Sequence, residues 1–194
     1  MLLQTLQLSP RKLQRFNEKD MFNFLKRKVI ETEIQIAPLE AEEGKEIICA
    51  PIVGEAVVSA EINDPTFAQE MLGKGIAIKP SVGKVFAPVD GKIEMVIESM
   101  HAIIMTSKEG AEILIHIGLD TVELKGKYFK GYVKEGDLVK RGDLLLEFDI
   151  AAITTAGYDM ISPVIVCNSD DYAEIECLTG NQVQIGETII KLKL

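Results

Sequence analysis

The chain has two histidines, His101 and His116, and they are the side chains best placed by type to do chemistry. An imidazole titrates near neutrality, ligates metals and can attack an electrophile through a ring nitrogen. His101 lies in SMHAIIMT and His116 in EILIHIG, and the Ser107-Lys108-Glu109-Gly110 stretch between them reads as a hairpin turn. If that turn closes with two or four loop residues, Thr106 faces Ala111 and the numbers of paired residues add to 217. His101 and His116 then stand directly opposite each other, with Cβ atoms ~4.5–5.5 Å apart on one face. A loop of odd length would send one imidazole to the other face.

A facing imidazole pair has three principal uses. With a carboxylate nearby it binds a metal. It can also act as a pH switch. In the third arrangement one ring is a nucleophile and the other donates a hydrogen bond to the anion that forms. The residues after His116 bear on the choice. Ile117-Gly118-Leu119-Asp120 leaves the strand at a glycine and adds an acidic group. A carbonyl at that turn would accept from one ring nitrogen of His116, set the tautomer and leave the other nitrogen free. Gly73, Gly75, Gly83 and Lys84 superficially suggest a phosphate-cradling loop, but Val85 follows the lysine and the G-x-x-x-x-G-K-[ST] spacing is absent. These glycines read as strand turns.

The elements that must carry the pair are short strands. EIICAPIVGEAVVSAEI, GIAIKP, KIEMVIE, HAIIMT, AEILIHI, DLLLEFDI, SPVIVCN and ETIIKLKL recur between Gly, Pro and Asp turns, a pattern expected of an all-β sandwich or barrel. Short helical turns are expected at Pro65–Leu72, Ile150–Tyr158 and Asp170–Leu178. An internal repeat supports construction from similar hairpins: residues 136–148 match residues 180–192 at an offset of 44 throughout, and Ala50-Pro51-x-x-Gly54 echoes Ala87-Pro88-x-x-Gly91. Lipoyl and biotinyl carriers use similar hairpins, but no Met-Lys-Met is present.

Composition narrows the class. The chain has 194 residues, 47% of them apolar, which allows a packed core, and a formal charge of −9. Residues 1–28 carry seven basic and two acidic groups, so a +5 arm precedes a body of −14. An acidic body argues against nucleic acid as the main partner. The sequence divides into a basic, flexible arm over residues 1–30 and a β-sandwich domain over residues 31–194. Phe22, Leu25 and Val29 would line one side of a short helix whose basic end could touch an anionic membrane surface, although one short amphipathic turn is marginal alone in water and a mobile tail is the favoured expectation. Cys49, Cys167 and Cys177 are too few and too scattered for a disulfide framework or a cysteine zinc site, and read as reduced thiols of a cytoplasmic protein. No signal peptide and no membrane span are expected.

At these residues the chain resembles the glucose-type IIA phosphocarrier domain of the bacterial phosphoenolpyruvate-dependent sugar phosphotransferase system. The resemblance runs over about residues 33 to 194. It rests on GIAIKP, VFAPVDGKI, the His101 segment, ILIHIGLDTVELKGKYF and the closing GETIIKLKL. It implies a barrel-sandwich hybrid fold and a phosphohistidine formed at Nε2 of His116. His101 is implied to stabilise the phosphoryl oxygens. Ser99, which stands where the family commonly has Thr, is implied to orient His101, and the Gly118 carbonyl to hold His116. Asp64 and Asp120 match acidic groups beside the site; Asp120 read alone would cap a turn, and Ser99 read alone would be an ordinary strand residue. Phe67 is kept from the aromatic rim, while Ile97 and Leu114 occupy positions that can be Phe, and Val122 completes the apolar surface.

The resemblance also implies the partners: the carrier HPr as donor and a cysteine of a sugar-specific IIB domain as acceptor, with regulated transporters or enzymes as further partners. Sugar choice would lie in the membrane-bound IIB and IIC partners. No cofactor and no metal are needed. Two other readings stand beside this one: a chiefly regulatory binding protein signalling sugar supply, and a zinc-dependent hydrolase using His101, His116 and a carboxylate, for which no further histidine exists.

Overall fold

The computed structural model describes residues 45–194. The expected basic arm and its short amphipathic helix lie outside the described residues. Fourteen strands run through the described chain, and they fall into three sheets. The largest is eight-stranded, in the order β13 (Asn181–Val183), β2 (Gly54–Val58), β3 (Lys74–Pro80), β11 (Ser162–Val166), β7 (Glu112–His116), β6 (Ala102–Ser107), β5 (Gly91–Val96), β9 (Leu138–Val139). One three-stranded sheet joins β1 (Lys45–Cys49), β14 (Thr188–Lys193) and β12 (Glu174–Cys177). The other joins β4 (Lys84–Phe86), β10 (Leu144–Phe148) and β8 (Phe129–Gly131). Every ladder is antiparallel. The expected all-β sandwich is the observed architecture.

Strand alternation produces two apolar layers. One set of side chains, including Ile48, Ile76, Val85, Ile115, Leu146, Val164 and Ile190, forms a core shared by all three sheets. Their alternating neighbours Val57, Ala77 and Ile165 point the other way and, with Ile62, Phe67, Leu119 and Ile161, form a second, smaller cluster. β11 is buried on both faces, which explains why its sequence SPVIV reads as an unbroken apolar run. The second cluster is the floor on which the site is built.

The sequence repeat is a structural one. Lys140 N–H donates to Asp143 Oδ2 at 2.8 Å, and Gln184 N–H donates to Glu187 Oε2 at 2.9 Å. Gly142 and Gly186 have φ of 89° and 88°, and Gly136 and Gly180 have 87° and 86°, backbone that glycine adopts without penalty. The two hairpins also dock alike: Ala87 N–H bonds to Asp143 O and Ala50 N–H to Glu187 O, so the Ala-Pro echo marks the segments, just past β4 and β1, that receive them.

Two expected helical turns are present, as α1 (Pro65–Ala68) and α2 (Ile150–Thr155), each with an aspartate side chain on its N-terminal amides. The third is corrected. Only Ser169–Asp171 coils, as a single 3-10 turn, and Glu174–Cys177 is strand β12. Its glutamates face lysines of β14, Glu176 to Lys191 at 2.9 Å and Glu174 to Lys193 at 3.8 Å, so a neighbouring strand decides its conformation.

Candidate functional site

His116 ends β7, beside Leu114 on the face that packs against the second apolar cluster. The expected register is off by one. The β6–β7 loop has three residues, Lys108–Gly110, with Gly110 at φ 107° and Ser107 N–H bonded to Ala111 O. The ladder therefore pairs Thr106 with Glu112 and Ala102 with His116, not His101 with His116. A left-handed glycine closing a three-residue loop is a standard hairpin solution, and it makes the loop odd.

The rings meet all the same. Their centroids are 4.9 Å apart and their planes nearly perpendicular, at 80°. His101 lies just outside β6, in a turn closed by Ile97 N–H on Ala102 O and Met100 N–H on Ile97 O, with Met100 at φ 56°. That turn frees His101 from strand alternation. Its backbone stays in register, its carbonyl accepting from Ile117 N–H at 2.7 Å, while its ring turns toward His116.

Each ring has a fixed Nδ1. His116 Nδ1 lies 2.8 Å from Gly118 O. A carbonyl can only accept, so Nδ1 carries the proton and Nε2 keeps its lone pair. His101 Nδ1 lies 2.6 Å from the Ser99 hydroxyl. Gly118 has φ 66°, and a Cβ there would sit 2.7 Å from Asp159 O and 2.8 Å from Thr121 Cγ2, so the position excludes other residues. Phe67, buried on α1, puts its ring centroid 5.1 Å from that of His116.

The electrostatics follow from this packing. Burial pushes the His116 pKa down to about 4, and the His101 ring acts in the same direction. The Gly118 carbonyl and the charges of Asp64 and Asp120 oppose the shift without cancelling it. Burial also lowers His101. Both rings are thus neutral at pH 7, and His116 presents an unprotonated Nε2, the state needed for nucleophilic attack. Asp64 is anchored by accepting from Thr66 N–H at 2.7 Å, as the N-cap of α1. Asp120 precedes the 3-10 turn Thr121–Leu124 at φ 56°, yet its side chain makes no capping bond.

The structure thus gathers His101, His116, Ser99, Gly118 and Phe67 into one contact set, with Asp64 and Asp120 close enough to act on His116. Leu114 lies in the floor. Ile97 begins the turn that carries His101, and Val122 is nearly half exposed on the turn after Asp120. Three residues escaped the sequence reading: Thr121, Asp159 and Ser162, which bond to the Ile117–Leu119 backbone. Thr121 was within reach, three residues from Gly118 in a turn. Asp159 and Ser162 lie over forty residues away, and no spacing in the sequence marks them. Among the described residues no group of three His, Cys, Asp or Glu side chains is arranged to hold a metal. No helix among the described residues is long and apolar enough to cross a membrane.

Residues 46–172 match the family described as phosphoenolpyruvate-dependent sugar phosphotransferase system, EIIA 1. The chain is 46% identical over 153 residues to a glucose-specific EIIA component of the sugar phosphotransferase system (PTS) from Oceanobacillus iheyensis, covering 78% of this chain and 93% of that protein. It is 44% identical over 147 residues to a β-glucoside-specific EIIBCA component from Dickeya chrysanthemi, covering 76% of this chain and 23% of that longer protein. Among solved structures, the glucose permease IIA from Mycoplasma capricolum superposes with a TM-score of 0.74 at 32% identity, over 80% of this chain and all of that one.

Proposed function

Because the chain belongs to the phosphoenolpyruvate-dependent sugar phosphotransferase system EIIA 1 family, and so is a phosphocarrier of that system, we propose that it carries the phosphoryl group on Nε2 of His116. The donor is the phosphohistidine of HPr, and the acceptor is a cysteine thiolate on a IIB domain of a sugar permease. The observation that supports this most directly is the 2.8 Å bond from His116 Nδ1–H to the Gly118 carbonyl, which leaves Nε2 unprotonated beside a second imidazole.

In the first transfer the Nε2 lone pair forms a bond to phosphorus as the P–N bond of the donor histidine breaks. In the second, sulfur forms a bond to phosphorus as the bond to His116 breaks. The proton stays on Nδ1, donated to Gly118 O, through both, so His116 is ready again once the phosphoryl group leaves. Little covalent rearrangement is asked of the protein, and catalysis is positioning with charge stabilisation. With the Ser99 hydroxyl donating to His101 Nδ1, the His101 proton resides on Nε2 and points at the phosphoryl oxygens. The apolar floor and Phe67 keep His116 neutral, and Asp64, Asp120, Ile97, Leu114 and Val122 form the surrounding docking surface. Asp64 and Asp120 suit a basic carrier. The family relatives favour this relay over a hydrolase or a purely regulatory binding protein.

The test is incubation with phosphoenolpyruvate, enzyme I and HPr, followed by mass analysis. One acid-labile phosphate, mapped to the peptide holding His116, is expected. No phosphate, or phosphate on another residue, would overturn the reading.

A further inference from the structure

The catalytic role proposed for His116 depends on where one carbonyl points, and the backbone around that carbonyl is held by two buried hydroxyls. The peptide unit between Ile117 and Gly118 is bonded at both ends. Its carbonyl, Ile117 O, accepts from Thr121 Oγ1 at 2.5 Å, and its N–H, on Gly118, donates to Ser162 Oγ at 3.2 Å. Thr121 and Ser162 are both fully buried. Ser162 Oγ donates in turn to Met160 O at 2.8 Å, so its one proton is committed and its lone pair faces Gly118. The next peptide unit contributes the carbonyl that His116 uses, and its N–H, on Leu119, donates to Asp159 O at 2.8 Å.

The geometry points to Thr121 and Ser162 as positioning residues that lock the tautomer of His116. This inference rests on the proposed phosphohistidine at His116. Neither hydroxyl touches that ring. Gly118, at φ 66°, is the most pliable residue in the turn, and a turn through it could rotate its carbonyl away. Fixing the preceding peptide at both ends, and Leu119 N–H from a third point, removes that freedom. An imidazole without its Nδ1–H acceptor shifts its proton toward Nε2, which occupies the lone pair needed for attack. Two hydroxyls from separate parts of the chain thus decide which nitrogen is nucleophilic. The arrangement is pre-organised before any partner arrives, the condition under which positioning contributes most to rate.

The experiment uses full-length Thr121→Val, Thr121→Ser and Ser162→Ala. Nitrogen-detected NMR of the unphosphorylated proteins reads the His116 tautomer, and rapid-mixing kinetics reads phosphoryl uptake from phospho-HPr. In the parent protein Nδ1 is expected protonated and Nε2 bare. In Thr121→Val and Ser162→Ala the two nitrogen shifts are expected to converge, and uptake to fall about tenfold, as for one lost hydrogen bond at the transition state. Thr121→Ser keeps the hydroxyl and is expected to retain the parent tautomer and uptake within about twofold. Thr121→Val and Ser162→Ala proteins that melt earlier but keep the parent tautomer would overturn the inference. The tautomer is read without phosphate, so a parent protein that takes none from phospho-HPr sinks the functional reading and leaves this measurement standing.

Discussion

His116 and Ala102 are cross-strand partners, yet the ring of His116 meets the ring of His101, 4.9 Å away and nearly perpendicular. Two departures from regular β-structure make this possible. An odd hairpin loop at one end of the β6–β7 ladder shifts the register by one. A left-handed residue at the other end, Met100, then turns His101 back toward the face that the shift would have denied it. The two imidazoles are differently placed as a result. His116 is held on a strand and clamped at Nδ1 by a carbonyl, while His101 sits on a turn and meets a hydroxyl.

That asymmetry predicts different variant phenotypes. His116→Ala is expected to abolish phosphate uptake from phospho-HPr. His101→Gln is expected to retain uptake while slowing onward transfer to a IIB cysteine by up to roughly 10²–10³, the full loss of one donor to a developing anion, because the Gln amide donates from a different position than the imidazole. Separate rapid-mixing measurements of the two half-reactions check this; uptake persisting in His116→Ala would remove His116 from its role.

The His116 pKa of about 4 lies below the ordinary imidazole value of about 6.5. Its folded form therefore binds fewer protons than its unfolded form between those pH values. The associated stability is fully present above pH 6.5 and is lost as pH falls toward 4, by on the order of 3 kcal/mol. Two-dimensional NMR should show His116 neutral down to about pH 5. Denaturant melts should weaken over the same window in the parent and less so in a His116→Gln variant.

Gly118→Ala would force a side chain into left-handed backbone, costing roughly 1–3 kcal/mol, with backbone Asp159 O only 2.7 Å from the new Cβ. A lowered melting temperature and loss of the His116 Nδ1–H signal are expected together. A variant that melted lower but kept that signal would show that the turn yields without moving its carbonyl.

Phe67 covers His116 at 5.1 Å and belongs to the small apolar cluster. Phe67→Ala should cost roughly 3 kcal/mol and let water reach the imidazole. Because burial is the largest cause of the depressed pKa, that pKa should climb toward 6.5, which an NMR titration would read directly.

Asp64 and Asp120 both act on His116 through their charge. Reversing both to Lys is expected to slow association with HPr about tenfold at low salt and to flatten its ionic-strength dependence. Stopped-flow rates at several salt concentrations check this, and an unchanged salt slope would remove the steering role.

Much of this protein was legible along the chain. The strand periodicity and the glycine turns of the repeated hairpins are local properties, set by residues next to each other, and short-range chemistry determines them. The two histidines stood out by scarcity, and their strands were adjacent in sequence. The hairpin loop misled, because a two- and a three-residue closure of Ser-Lys-Glu-Gly differ by a single left-handed glycine. The Asp170–Leu178 stretch misled because its partner strand, β14, lies beyond it, and the antiparallel ladder of Glu174–Cys177 onto β14 overrides local preference. Only the tertiary structure decided that the rings touch, that Phe67 covers one of them and that Ser162 reaches Gly118 across 44 residues. Those contacts depend on the order of strands in the eight-stranded sheet, and strand order is settled by burying both apolar faces at once, a global condition that no local segment encodes.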